Sequence, residues 1–184
     1  MADQLTLRTL GGTATHTLDD SGNATHTGTV TADSLSVTGS ATLPTSFQRT
    51  ATVSITNAEM LALRATPKTL VAAPGAGYVI EFVSAELFFD YTAVYTESAD
   101  NMAIRFTDGS GTIVSQAIEA TGFLTATADT KTNALPKIDA ISAKTACDNA
   151  LLCLHNTGDG EYGGGNAANV VRVRVTYRVH PAGW

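Results

Sequence analysis

"NVVRVRVTYRVH" occupies Asn169–His180. Val171, Val173, Val175, Tyr177 and Val179 alternate with Arg172, Arg174, Thr176, Arg178 and His180. A period of two, with β-branched residues at most apolar positions, marks a strand with one face on a core and the other face cationic. Such a strand needs neighbours, and the residues upstream supply them.

"ALLCLHN" (150–156) reads as a buried strand, joined to the arginine strand by the glycine-rich loop "NTGDGEYGGGN" (156–166). "NMAIRFTDGSGTIVSQAI" (101–118) reads as two strands about a "TDGSG" hairpin turn. In "IEATGFLTATADTKTNALP" (118–136) the reading is an apolar bend at Phe123–Leu124 followed by a polar loop. "YVIEFVSAELFFDY" (78–91) is a long apolar strand whose isolated Glu81 and Glu86 read as solvent-facing or interfacial, not catalytic. "KTLVAAPGAG" (68–77) is a strand and a tight turn at Pro74–Gly77. In "TATVSIT" (50–56), Val53 and Ile55 share a face. Thr56 and Glu59 then fit a capping box, opening a helix from about Asn57 to Arg64 that Pro67 stops. Seven or eight strands and one short helix predict an all-β fold: an antiparallel β-sandwich or jelly-roll-like domain over residues 48–184.

Residues 1–47 differ in character. They are rich in Thr, Ser and Gly, and "ATHT" occurs twice, at Ala14–Thr17 and Ala24–Thr27. In "LSVTGSATL" the residues Leu35, Val37, Ala41 and Leu43 share one parity. One narrow apolar edge cannot hold a lone strand. Three copies wound together could bury it, so the expectation is an extended β-repeat arm in a homotrimer, against the alternative of a disordered tail. Leu35, Val37 and Leu43 are therefore candidate interaction residues, and Arg172, Arg174 and Arg178 are a second set. The arginines either form a solvated face with cross-strand acidic partners such as Glu81 or Glu86, or dock an acidic neighbour.

Of the 184 residues, 43% are apolar, enough for a sizeable core, and only 15% are charged. The surface must then lean on Thr, Ser, Asn and Gly or be partly hidden in contacts. A net charge of -6 argues against sequence-independent nucleic-acid binding. No apolar run approaches a membrane span, and "MADQLTLRTLGG" lacks the pattern of a secretory signal, so synthesis in a cytoplasm is expected.

The search for chemistry assigns no catalytic, cofactor or metal residue. "GDGEYGGGN" lacks the GK[ST] ending of a phosphate loop and lies between strands, where no helix N-terminus is available. Asp159 and Glu161 could meet a cation, but their spacing does not match a calcium loop. His16 and His26 could form imidazole rings round a trimer axis, or could simply be exposed polar positions; His155 reads as a structural histidine. There is no GxSxG elbow. Cys147 and Cys153, in "CDNALLC", are either reduced buried thiols or a local disulfide across a bend.

Taken together, "SITNAEMLALRATPKTLVAAPGAGYVIEFVSAELFFDY" and "GGGNAANVVRVRVTYRVHPAGW" resemble a family of small structural proteins of tailed bacteriophages and prophages. The features that carry the likeness are the capped "AE-x-L-x-L-x-ATP" turn, the "LV-x-APGAG" turn and the "GGNAAN" loop before an arginine-alternating strand. The front segment is similar to the Thr/Ser/Gly β-repeats of phage fibres and spikes. The resemblance implies a non-enzymatic virion component made in a bacterial host. A trimeric capsid decoration, or cement, protein on the major capsid protein or another virion protein fits first. A tail fibre, spike or attachment component comes second, and a carbohydrate-binding module third.

Overall fold

A computed structural model of the chain describes residues 15–18, 24–27, 47–97 and 100–183. The chain divides into two compact units, Met1–Thr42 and Leu43–Trp184. In the first, β1 (Thr15–Leu18) and β2 (Ala24–Thr27) pair antiparallel, which sets His16 opposite His26 in register. Leu35, Val37 and Leu43 lie outside the described residues.

The second unit runs β3 (Arg49–Thr56), α1 (Asn57–Met60), β4 (Lys68–Val71), β5 (Tyr78–Asp90), β6 (Tyr95–Thr96), β7 (Met102–Phe106), β8 (Thr130–Ala134), α2 (Lys144–Cys147), β9 (Leu152–Asn156), β10 (Gly163–Gly164) and β11 (Val170–Pro181). A four-stranded sheet has the order β3-β11-β5-β8 and a three-stranded sheet the order β4-β9-β7, with all pairs antiparallel. A short β10-β6 pair lies apart from both. The arginine strand β11 is central, with β3 on one side and β5 on the other. Its Val171, Val173 and Val175 are fully buried. They share one core with Ile55, Leu87 and Phe89 of the same sheet and with Met102, Ile104, Leu152 and Leu154 of the other. The fold is all-β and antiparallel, arranged as a sandwich, in agreement with the alternation in the sequence.

A bulge in β5 decides which residues share the outer face. Thr176 pairs with Ser84, but Tyr177 pairs with Phe82, so Val83 is the extra residue. Strict alternation would put Glu81 and Glu86 on opposite faces. The extra residue resets the parity: Ile80 and Phe82 face the core on one side of it, and Ala85, Leu87 and Phe89 on the other. Both glutamates therefore lie on the face of Arg174 and Arg178.

Several local expectations change. The capping box is present, with the Glu59 amide donating to Thr56 Oγ1 and the Thr56 amide donating to the Glu59 carboxylate. The helix that it opens is one turn long, not two. Ala62 and Leu63 bond three residues back, which tightens the backbone into turns through Ala65. The fold has a second short helix, α2, which no side chain caps and which no sequence signal marked. The expected second arm of the 101–118 hairpin forms only isolated bridges, Ile113 to Arg105 and Ile118 to Met102. Its other edge is shared with the chain leaving β8: Gln116 donates to Leu135 O at 2.8 Å and Lys137 to Val114 O at 2.8 Å. That chain passes from the edge of one sheet to the margin of the other and closes this side of the sandwich. The strand β8 itself falls in the segment read as a polar loop, because "TKTNA" carries almost no apolar signal.

Candidate functional site

Three polar assemblies could carry function. The first is the outer face of the four-stranded sheet. Arg174 stands directly opposite Glu86 in register and pairs with it, and Lys131 of β8 holds the same carboxylate at 2.5 Å. Arg178 stands opposite Glu81 at 3.3 Å, and His180 Nε2 lies 2.7 Å from that carboxylate. Arg172 reaches diagonally to Asp90, donating to Oδ1 at 3.1 Å. Each arginine thus has its acid in the same chain. Lys131 holds the Glu86 carboxyl below the usual range, with Arg174 next, and His180 does the same for Glu81, assisted by Arg178. At neutral pH these carboxylates are ionised and paired. The lattice is a charged surface whose lowered carboxylates, Glu81 and Glu86, are each held by two basic side chains of the same sheet.

The second assembly is the glycine-rich loop. Two of its amides point at the carboxyl group of the protein's own Asp100, which is 4% exposed. Asp159 N donates to Asp100 Oδ1 at 3.2 Å and Gly160 N to Oδ2 at 3.3 Å. Asn156, fully buried, accepts from Gly158 N and donates to Gly160 O. Tyr162 Oη donates to Asp100 O at 3.0 Å. A Cβ at position 158 would collide with the Asp100 carboxylate, so this glycine is needed for close approach. The loop continues into Glu161, whose carboxylate accepts from Arg64 N at 2.9 Å and Ala65 N at 2.7 Å, satisfying the end of the α1 turn. Further along, Asn169 is fully buried. Its Oδ1 accepts from Thr92 N and Ala93 N, and its Nδ2 donates to Ala93 O at 2.7 Å, pinning the chain after β5 to the start of β11.

The third is a cleft of about 580 Å³ on the outer side of the three-stranded sheet, whose lining includes Arg64, Arg105, Asp108, Ser110, His155 and Thr157. Arg105 donates to Gly111 O at 3.0 Å and to Gly109 O, and its Nη1 lies 3.2 Å from His155 Nδ1. A guanidinium only donates, so this ring nitrogen is the acceptor and the imidazole is neutral. Burial, reinforced by Arg105, holds His155 below its usual pKa. Gly109 sits over the ring, where a Cβ would press on Nε2. The histidine braces the 107–111 turn against β9 and is 7% exposed, at the margin of the cleft. Beside it, burial pushes the Cys153 thiol up to about 11, so it is not a nucleophile at neutral pH. Cys147 and Cys153 are both free and buried, as the first of the two readings had it.

Of the candidate interaction residues, the structure brings Arg172, Arg174 and Arg178 together on one face with in-chain acidic partners. Sequence reasoning missed Asp100, Asn156 and Asn169. Asn169 closes the "GGNAAN" motif and was legible only as part of it; Asp100 lies 59 and 60 positions from the two amides that it holds, and no local pattern joins them. Among the described residues, no group of three or more metal-ligating side chains gathers, and no helix is long and apolar enough to cross a membrane.

Comparison with family models gives no match, and comparison with curated proteins gives none. Solved structures similar to this chain include a chain of the "Cyanophage Pam1 capsid asymmetric unit", at TM-score 0.41 and 16% identity, covering 82% of this chain and 96% of that one. A chain of the "Capsid of Ralstonia phage GP4" is similar at TM-score 0.34 and 12% identity, covering 71% of this chain and 82% of that one.

Proposed function

We propose that this chain is a non-enzymatic structural protein of a tailed bacteriophage virion and, within that class, a homotrimeric decoration, or cement, protein bound to the capsid surface. The observation that carries the reading is how its polar residues are spent. The motifs that carry the resemblance turn out to be frame-holding devices: the capping box of α1, the Gly75–Gly77 turn whose amides donate to Asn149 and Asp148, the Asn169 clamp and the self-paired arginine strand; the Asp100-filled glycine loop works alongside them. An enzyme would hold some of these groups unpaired and open to a substrate. Here they stiffen a sandwich, which suits a part whose work is to hold position under load.

In this reading, many copies add buried contact across capsid subunit junctions and oppose the pressure of packaged DNA. The partners are other copies of the chain and the major capsid protein or another virion protein; nucleic acid and membrane have no part. The protein is made in the cytoplasm of a bacterial host and ends in the virion. The decisive experiment is a map of the intact virion with copy number by quantitative mass spectrometry. Density at capsid subunit junctions in tens to hundreds of copies is the expected result. A few copies at the tail would replace it with the fibre or spike reading that the Thr/Ser/Gly-rich front segment favours. Specific retention on a host-glycan array would point instead to a carbohydrate-binding module.

A further inference from the structure

We propose that the Lys137–Ala140 turn and the groove beside it form the surface through which one copy of this chain contacts a second copy. The turn is closed by the Ala140 amide donating to Lys137 O at 3.3 Å. Its second position is Ile138, which is 95% exposed, and Ile141 follows at 90%. Turn tips select Pro, Asp, Asn, Ser and Gly for backbone reasons. A β-branched aliphatic at the tip has no such reason and gains nothing from water. Single exposed apolar residues need no explanation, but two isoleucines this bare, three positions apart and close to half-exposed Leu135, make a patch.

Ile138 also lines a groove of about 410 Å³ together with Met102, Ala103, Ile113 and Ala117 and with the polar Ser115 and Gln116. Ile141 is not part of that lining and stands free. The same patch therefore offers an apolar projection and an apolar recess.

Charge selects the occupant. The chain carries a net charge of -6, so two copies repel each other on approach unless the surfaces that meet are locally balanced. At this turn the charges cancel: Lys137 lies 3.5 Å from Asp139. A strongly charged partner would select a rim of one sign. A rim with both signs side by side complements itself, because Lys137 of one copy can face Asp139 of the next while the isoleucines enter the groove. Copies of this chain meet where local charges balance and where the two most exposed large apolar side chains among the described residues stand.

This inference rests on the reading of the chain as a homo-oligomer, and its test separates the two. The full-length protein and its Ile138→Glu, Ile141→Glu and Ile138→Val variants are compared by sedimentation equilibrium, with circular dichroism as a fold control. Both isoleucines touch little of their own chain, so the glutamates leave the fold intact. The expected result is that each glutamate weakens self-association about thirtyfold or more, the effect of a buried anchor residue, while Ile138→Val retains it. Glutamate variants that keep the wild-type mass overturn the inference and leave the oligomer standing. A monomeric wild type overturns both. Variants that keep their mass but lose binding to purified virions assign the patch to another virion protein and overturn the second-copy contact.

Discussion

At the scale of single residues, the arginines of β11 are held by geometry that the sequence half revealed. Their common face follows from a period of two; their partners follow from the β5 bulge. Arg174 is 55% exposed at its side chain, and Glu86 keeps Lys131 when Arg174 is removed. Exposed pairs of this kind contribute little. Arg174→Gln is therefore expected to shift the melting temperature by less than about 2 °C and to leave association unchanged. A loss of association at unchanged melting temperature would mean that the lattice docks a neighbour. A large fall in melting temperature would mean that this side chain supports the core. The titrating residues make a second prediction. Lys68 holds the Glu59 carboxyl below its usual value, as His180 does for Glu81. Stability from these ionised forms is complete above the ordinary carboxylate range and is lost as pH falls through the lowered values. His155 acts earlier. The unfolded chain takes up a proton near 6.5 that the buried imidazole refuses, so stability starts to fall as pH drops through 6.5. Melting temperature against pH should decline in two stages, and His155→Gln should remove the upper stage alone. A wild-type curve flat from pH 7 to pH 5 would contradict this account of His155.

At the scale of elements, legibility tracked apolar periodicity. The central strand β11, the long β5 and the buried β9 were all readable, because their apolar positions alternate or run together. The capping box was readable because four consecutive residues define it. β8 was not: its place in the sheet comes from backbone pairing with β5, and its outward residues Lys131 and Asn133 leave only a weak inner edge. The glycine-rich loop was readable as a loop, but its purpose depended on Asp100, far away in sequence. The bulge at Val83 was hidden too, since "EFVSAE" contains no glycine to announce it. Its role gives a prediction with a built-in control. Deleting Val83 removes the extra residue and leaves Ile80, Phe82, Ala85 and Leu87 in regular inward alternation. Deleting the half-buried Phe88 makes Leu87 and Phe89 consecutive, so one half of β5 must turn its apolar residues outward. The first variant is expected to unfold cooperatively on heating, the second to show no cooperative transition. Equal behaviour of the two would mean that the register of β5 is not set by face parity.

At the scale of the whole molecule, every buried apolar residue of the described core, from Ile55 to Ala182, belongs to the second compact unit. Among the described residues, those that build the two sheets, the clamp and the glycine loop all lie at or beyond Arg49. Residues 1–45, by contrast, offer the thin apolar parity of Leu35, Val37 and Leu43 and the twice-repeated "ATHT". By composition such a segment has little apolar surface to bury. The proposed division of labour follows: the sandwich supplies rigidity and the front segment supplies attachment. Deleting residues 1–45 is therefore expected to leave the melting temperature within about 2 °C of the full chain's, since every described core residue is retained. The same deletion should abolish most co-sedimentation with virions stripped of this protein. The two measurements answer separately. A truncated chain that no longer folds would make the front segment part of the folding unit. A truncated chain that folds and still binds virions at full strength would move the docking surface onto the sandwich, where the Ile138 turn and the arginine lattice would be the surfaces to mutate next.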